Sequence, residues 1–334
     1  MANQAPPSGT FQITLQRFST AAEVFDVSGN DTIAMLKDAI QARTGISRLT
    51  QRLVFSGKQL TEEDKTLSEC EIGPGSVIQL LPALRKPVVY LYPPEPTQVS
   101  VKLSLIPEWR FSVLYPYAPV EDIKQSEGQR LGQRTEWNVL ARPDGTMTVI
   151  TGDHAGVDAA YLFWEAQIAE EAMEFPDSPP SSRPASPAIN RELAFIPGKS
   201  ICAPSDSVLI RAKDVPTYLD KALQALTLHA EARTSFITFW LPSLLRHQFV
   251  ALKFIPQASF ERAAPLDITP LPDAVTRIFM LFQGVKASEV SSWQSAVSRA
   301  SESPEVWRQV VGVEDKEAEG NLFRVVEWGG MEVL

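Results

Sequence analysis

The sequence predicts an α+β protein in two parts: a small domain over residues 11–84 and a larger, mixed α+β domain rich in antiparallel strands over residues 86–334. Three observations predict it. Residues 11–84 alternate, then switch to helical spacing, then return to short apolar strands, all within one tight unit. The pattern breaks at Leu84-Arg85-Lys86-Pro87. Beyond the break come strands, then helical spacing, then strands again, the order of a segregated α+β domain.

In the small domain Phe11, Ile13, Leu15 and Arg17 alternate with Gln12, Thr14 and Gln16, the period of a strand with one buried face. Thr20-Ala21-Ala22 supplies a turn, and Val24, Phe25 and Val27 a second strand. Thr32 is placed to cap a helix, its hydroxyl accepting an otherwise unpaired amide of the first turn. Ile33, Leu36 and Ile40 recur at helical spacing, and Gly45 follows where a left-handed cap would sit. Gln51 to Phe55 reads as a strand, Ser56-Gly57 as a turn and Val77 to Leu81 as the closing strand.

In the larger domain Val88 to Tyr92 is a β-branched and aromatic run, expected to be buried on both faces. Val99 to Leu105 alternates strictly. Phe111 to Tyr115 and Trp137 to Ala141 continue the series, and Arg142-Pro143-Asp144-Gly145 is a hairpin turn into Met147 to Ile150. Tyr161 to Glu165 closes this half. The proline- and serine-rich residues 175–189 read as a disordered loop. Val215 to Trp240 predicts two helices; Gln248 to Ile255, Val275 to Gln283 and Phe323 to Trp328 predict strands. Residues 286–319, helical, charged and weakly apolar, read as a peripheral insertion.

The segments QRLVFSGKQL, DTI with the helical stretch ending at Gly45-Ile46, and KTLSECEI resemble ubiquitin, and the resemblance runs through the whole of residues 11–84. It implies a ubiquitin-like β-grasp domain. It also implies a recognition patch, carried over to Phe18, Val54 and Leu81, with Arg52, Lys58, Gln59 and Gln79 as its rim. An apolar patch with a polar rim suits protein binding. The competing reading packs Val54 and Leu81 against the second domain. Where ubiquitin ends in a conjugating diglycine, this chain continues through Pro82-Ala83-Leu84, and Gly329-Gly330 is followed by four further residues. Recruitment is therefore expected rather than conjugation. KPVVYLYPPEP, WNVLARPDGT, YLFWEA, FWLP, LDITPLPDAVTRIFM and VVEWGG resemble a domain of bacterial hypothetical proteins and fungal proteins. That resemblance joins the first and last strands of the larger part into one domain and brings no activity with it.

Composition narrows the function classes. Of 334 residues, 44% are hydrophobic and 21% charged, and the net charge of −9 argues against a general nucleic-acid binder. Only Cys70 and Cys202 are present, so no disulfide framework is expected. The first thirty residues show no signal-peptide core, and the apolar stretch Phe236 to Ile255 is interrupted by Pro242, Arg246, His247 and Lys253. A cytoplasmic or nuclear setting without a membrane span is expected.

Candidate chemistry is sparse. Cys202 with one of the three histidines (His154, His229, His247) would be a thiol site, but no cysteine-protease box surrounds it; a buried or loop thiol is the plainer reading. Asp153, His154 and Asp158 lack metal-ligand spacing, and there is no phosphate-binding glycine loop, so no cofactor or metal is expected. Glu165 and Glu327 each follow large apolar residues, where burial would prepare a general acid. Together they would resemble a glycosidase pair. Against this stands a structural ion pair with an arginine such as Arg277 or Arg110. Trp109, Tyr115, Tyr117, Trp137, Tyr161, Trp164 and Trp328 suit either a groove or a core, with Trp109 expected to be exposed.

Two functions follow from the sequence. One is an adaptor: the β-grasp domain engages ubiquitin receptors or proteasome-associated proteins, and the second domain a client or ligand. The other is a ubiquitin-linked hydrolase using Glu165 and Glu327, or Cys202. The adaptor is preferred, on the absence of catalytic motifs.

Overall fold

The computed structural model describes residues 9–17, 22–44, 46, 48, 51–81, 83–124, 130–169, 194–195, 201–313 and 321–333, with the side chains of 83, 84 and 130 excepted. The chain divides into two compact units, Met1–Pro82 with Val333–Leu334, and Ala83–Glu332.

The first unit is a ubiquitin-like β-grasp. Its strands are β1 (Thr10–Arg17), β2 (Glu23–Ser28), β3 (Arg52–Phe55), β4 (Lys58–Gln59) and β5 (Val77–Leu81), with helix α1 (Ile33–Thr44) between β2 and β3. The sheet order is β2-β1-β5-β3-β4, and β1 and β5 run parallel. The expected alternation buries Ile13 and Leu15 of β1 with Ile33, Leu36 and Ile40 of α1 in one core. The Thr32 hydroxyl accepts the Met35 amide at 3.2 Å, as a cap should. The proposed turn at 20–22 and the cap at Gly45 lie outside the described residues, apart from Ala22.

The second unit holds two sheets. Its strands are β6 (Ala83–Tyr92), β7 (Thr97–Leu105), β8 (Trp109–Tyr115), β9 (Val120–Lys124), β10 (Arg130–Ala141), β11 (Met147–Val149), β12 (Asp158–Ala159), β13 (Leu162–Ile168), β14 (Val208–Arg211), β15 (Phe249–Phe254), β16 (Leu266–Thr269), β17 (Ala274–Val285) and β18 (Arg324–Glu332). Its helices are α2 (Val215–Ala225), α3 (Ala230–Leu244), α4 (Gln257–Ala263), α5 (Gln294–Arg299) and α6 (Val306–Val311). One sheet runs β14-β15-β17-β18-β6-β13-β8; the other runs β12-β11-β10-β7-β16, with β9 also on β10. Among the described residues of this unit, β17 and β18 are the one pair that runs parallel.

The first and last strands of the unit, β6 and β18, are neighbours. Both are buried on both faces, which is why Val88 to Leu91 reads as a continuous apolar run rather than an alternating one. One face packs on α2, α3 and α6 through Val88, Tyr90, Leu219, Phe236, Trp240, Ile278 and Trp328. On the other, Phe260 of α4 stacks on Phe279 of β17 and on Trp164 of β13. Gly329 and Gly330 sit inside this sheet. A Cβ at Gly329 would lie 3.0 Å from the Pro87 Cα, and one at Gly330 would lie 2.9 Å from the Trp240 ring and 3.0 Å from the Met280 carbonyl. The diglycine is thus a packing requirement within β18.

Two expectations are corrected here. Trp109 is fully buried, stacked at 5.8 Å on Phe195 and donating its indole N–H toward the Phe195 carbonyl. The turn before it was legible; its distant partner was not. The 286–319 segment is helical over α5 and α6, but it is not peripheral. Trp307 and Val311 of α6 enter the core that α2 and α3 share with the sheet. Residues 175–189 and 314–319 lie outside the described residues.

Candidate functional site

The register of the first sheet brings four of the seven sequence-derived patch and rim residues onto one face. Leu53 faces Leu80 within the core, so the neighbours of each point the other way: Val54 stands opposite Gln79, and Arg52 opposite Leu81. Gln59, paired with Val54 across the β3–β4 hairpin, accepts a hydrogen bond from Arg52 Nε at 3.0 Å. Lys58 is exposed at the hairpin end, opposite Phe55. Phe18 lies outside the described residues. Val54 and Leu81 are each 1% exposed and Arg52 7%, and neither Val54 nor Leu81 belongs to the domain's core cluster.

In the same domain a charged network ties α1 to the loop before β5. Glu63 accepts hydrogen bonds from Lys37 Nζ at 2.9 Å and from Arg48, which also reaches Asp38. The bonds from Lys37 and Arg48 hold the Glu63 carboxyl down at about 2. A carboxylate whose pKa falls on folding stabilises the fold above its unfolded value, and that contribution disappears as pH falls through the folded one. Glu63→Gln should therefore lower the melting temperature at pH 7. In a pH series followed by circular dichroism, the difference from the parent should close as pH falls toward 2.

The carboxylate pair does not form. Glu327 is fully buried; its Oε2 accepts Arg277 Nε at 2.5 Å and its Oε1 accepts the Trp164 indole N–H at 2.8 Å. Arg277, also fully buried, pairs through Nη1 with Glu261 and lies 4.6 Å from the centre of the Phe260 ring. Burial pushes the Glu327 carboxyl up, and Arg277 and Trp164 pull it back. Glu165, beside a register shift of β13 against β8, shares none of these partners: its Oε1 accepts the Lys86 amide at 3.3 Å, and burial raises its pKa. The two carboxyls thus have separate partners, and Glu327 is held in an ion pair with Arg277. Arg277, the sequence-derived alternative partner, is the one that Glu327 takes.

Cys202 is 3% exposed, and burial pushes its thiol up to about 12, so thiolate chemistry is suppressed. Asp153, His154 and Asp158 are exposed or half-exposed, and no group of three or more His, Cys, Asp or Glu side chains fit to hold a metal occurs among the described residues. Trp137, Trp164 and Trp328 are core residues; Tyr115 and Tyr117 are exposed and Tyr161 is half-buried. Among the described residues no helix is long and apolar enough to cross a membrane. One cluster escaped the sequence reading altogether: Lys86 and the rings around it. Its only signal was a lysine standing directly before an aromatic strand.

A five-stranded sheet with parallel central strands and one helix across it defines the first unit as a β-grasp module. The family model described as "Ubiquitin family" matches residues 13–85. The chain is 42% identical over 60 residues to ubiquitin-like protein NEDD8 of Dictyostelium discoideum, covering 18% of this chain and 77% of that protein. It is 35% identical over 60 residues to ubiquitin-like protein 1 of Schizosaccharomyces pombe, covering 18% and 76%. To the NEDD8-like protein RUB3 of Arabidopsis thaliana it is 38% identical over 60 residues, again 18% and 76%. Through this domain the chain belongs to the ubiquitin family.

Proposed function

We propose that the protein is an adaptor of the ubiquitin pathway. Its β-grasp domain is read by ubiquitin receptors or proteasome-associated proteins, and its second domain holds a client or ligand. The observation that carries this reading is the shared face of Arg52, Val54, Gln79 and Leu81, set off the core in a ubiquitin-family domain.

The test uses the full chain and immobilised ubiquitin-receptor domains, with binding read by surface plasmon resonance. Free ubiquitin should compete for the same receptor sites. Lys58→Glu, at an exposed position beside the face, should weaken binding several-fold and leave thermal unfolding unchanged. If receptors that bind ubiquitin ignore the chain, or if ubiquitin fails to compete, the adaptor reading falls.

A further inference from the structure

We propose that Lys86 is a site of N-methylation, and that the rings of Tyr161, Phe239 and Trp328 form the cage that holds its methylated ammonium. Lys86 is half-buried and sits where β6 is irregular: its φ is +47°, and the register of β6 shifts against both β13 and β18 in this stretch. A lysine held at positive φ is uncommon and marks a position fixed by its surroundings.

The surroundings are aromatic. The Lys86 ammonium lies 5.0 Å from the centre of the Phe239 ring, 5.7 Å from that of Trp328 and 6.0 Å from that of Tyr161. All three fall within the range of about 6 Å over which a ring attracts a cation. Phe239 comes from α3, Trp328 from β18 and Tyr161 from the residue before β13, so the fold assembles the cage from distant segments. Tyr90 braces two of the rings: it bonds to the Trp328 indole and packs edge-on at 5.4 Å against Tyr161. Rings so placed favour a group that stays positively charged.

A bare ammonium fits this cage poorly. It carries three N–H donors, and none of them has an acceptor among the described residues. Glu165 bonds the backbone amide of Lys86 instead, and Glu231 acts on the ammonium only through space. Loss of water pushes the Lys86 pKa down, a cost that falls on a strongly hydrated cation. Methylation keeps the charge, removes donors that lack acceptors and weakens the hydration that burial must strip away. The spacing also suits it. The Arg43 guanidinium sits 4.0 Å over the Phe25 ring, whereas every ring at Lys86 stands farther off and leaves room for methyl groups. Aromatic cages are the established means by which proteins hold methylated ammonium groups.

The reaction balances with one co-reactant, a sulfonium methyl donor carried by a methyltransferase. The deprotonated Lys86 amine attacks the methyl carbon with its lone pair, and a C–N bond forms. The C–S bond pair returns to sulfur, and the donor leaves as a neutral thioether. The nitrogen regains the positive charge that the sulfur gives up. Each further methyl group requires the nitrogen to lose one more proton.

The experiment treats the folded, full-length protein with formaldehyde and dimethylamine-borane, which converts amines to dimethylamines and keeps their charge. Peptide mapping reads conversion at Lys86, and thermal unfolding reads its effect. The same treatment of Lys86→Arg measures the contribution of every other lysine. After that subtraction the parent should melt about 2–4 °C higher when methylated. Phe239→Leu, which removes the nearest ring, should lose that gain. Protein isolated from its native cells and mapped by mass spectrometry should carry methyl groups on Lys86 and none on the exposed Lys58. A Lys86 that the reagent cannot reach, a gain no larger than that of Lys86→Arg, or an unmethylated Lys86 in the native protein overturns the proposal.

Discussion

Replacing Arg277 with leucine should lower the stability of the second domain by about 3–5 kcal/mol at pH 7, because it leaves a fully buried carboxylate without its counter-charge. The Trp164 indole N–H would remain, but a neutral donor does not offset a buried charge. The loss should depend on pH, and its sign follows from Glu327. Burial raises the carboxyl's folded pKa, and removing Arg277 raises it further. A carboxyl whose pKa rises on folding favours the folded state below its unfolded value, and that advantage is lost as pH rises through the folded one. The variant should therefore recover stability as pH falls from 7 toward about 4.3. Urea titrations across this range would show it. Adding Glu327→Gln to Arg277→Leu should remove the pH dependence and part of the loss. A variant as stable as the parent at pH 7 would mean that water reaches Glu327.

Trp307→Ala should cost about 3–5 kcal/mol, the usual loss for a buried tryptophan that leaves a cavity. Trp307 is 1% exposed, packs edge-on against Phe254 at 5.2 Å and donates its indole N–H to the Tyr218 hydroxyl at 2.8 Å. It therefore ties α6 to both the sheet and α2. Thermal unfolding followed by near-UV circular dichroism would measure the change. A loss under about 1 kcal/mol, the size of a surface substitution, would return residues 286–313 to the status of an appendage.

That outcome bears on what the chain discloses before its structure is known. Local periodicity was enough for β1, α1 and β7, since Ile13, Ile33 and Val101 each repeat with the period of the element that buries them. Partners distant in sequence were not legible. The 286–313 segment is weakly apolar on average, and its attachment depends on a few residues, Trp307 above all, meeting partners elsewhere. Trp109 follows a turn, yet Phe195 buries it. Glu165 and Glu327 both stand at plausible strand positions, and only their partners in the fold, the Lys86 amide for one and Arg277 with Trp164 for the other, tell them apart. The shared face of β3 and β5 was legible through the ubiquitin resemblance, which places Val54 and Leu81 together; their burial was not.

The pairing of β6 with β18 also orders events at the ribosome. The β-grasp strands emerge close together and can close their sheet while the rest of the chain is still being made, as domains fold in turn during synthesis. The second domain cannot. Its central sheet keeps a gap between β6 and β17 until residues 324–332 leave the exit tunnel, and until then two apolar strand edges stand open side by side. A premature stop between β17 and β18 would release a finished ubiquitin-like module joined to a sheet that can never close, a product marked for aggregation or for capture by chaperones.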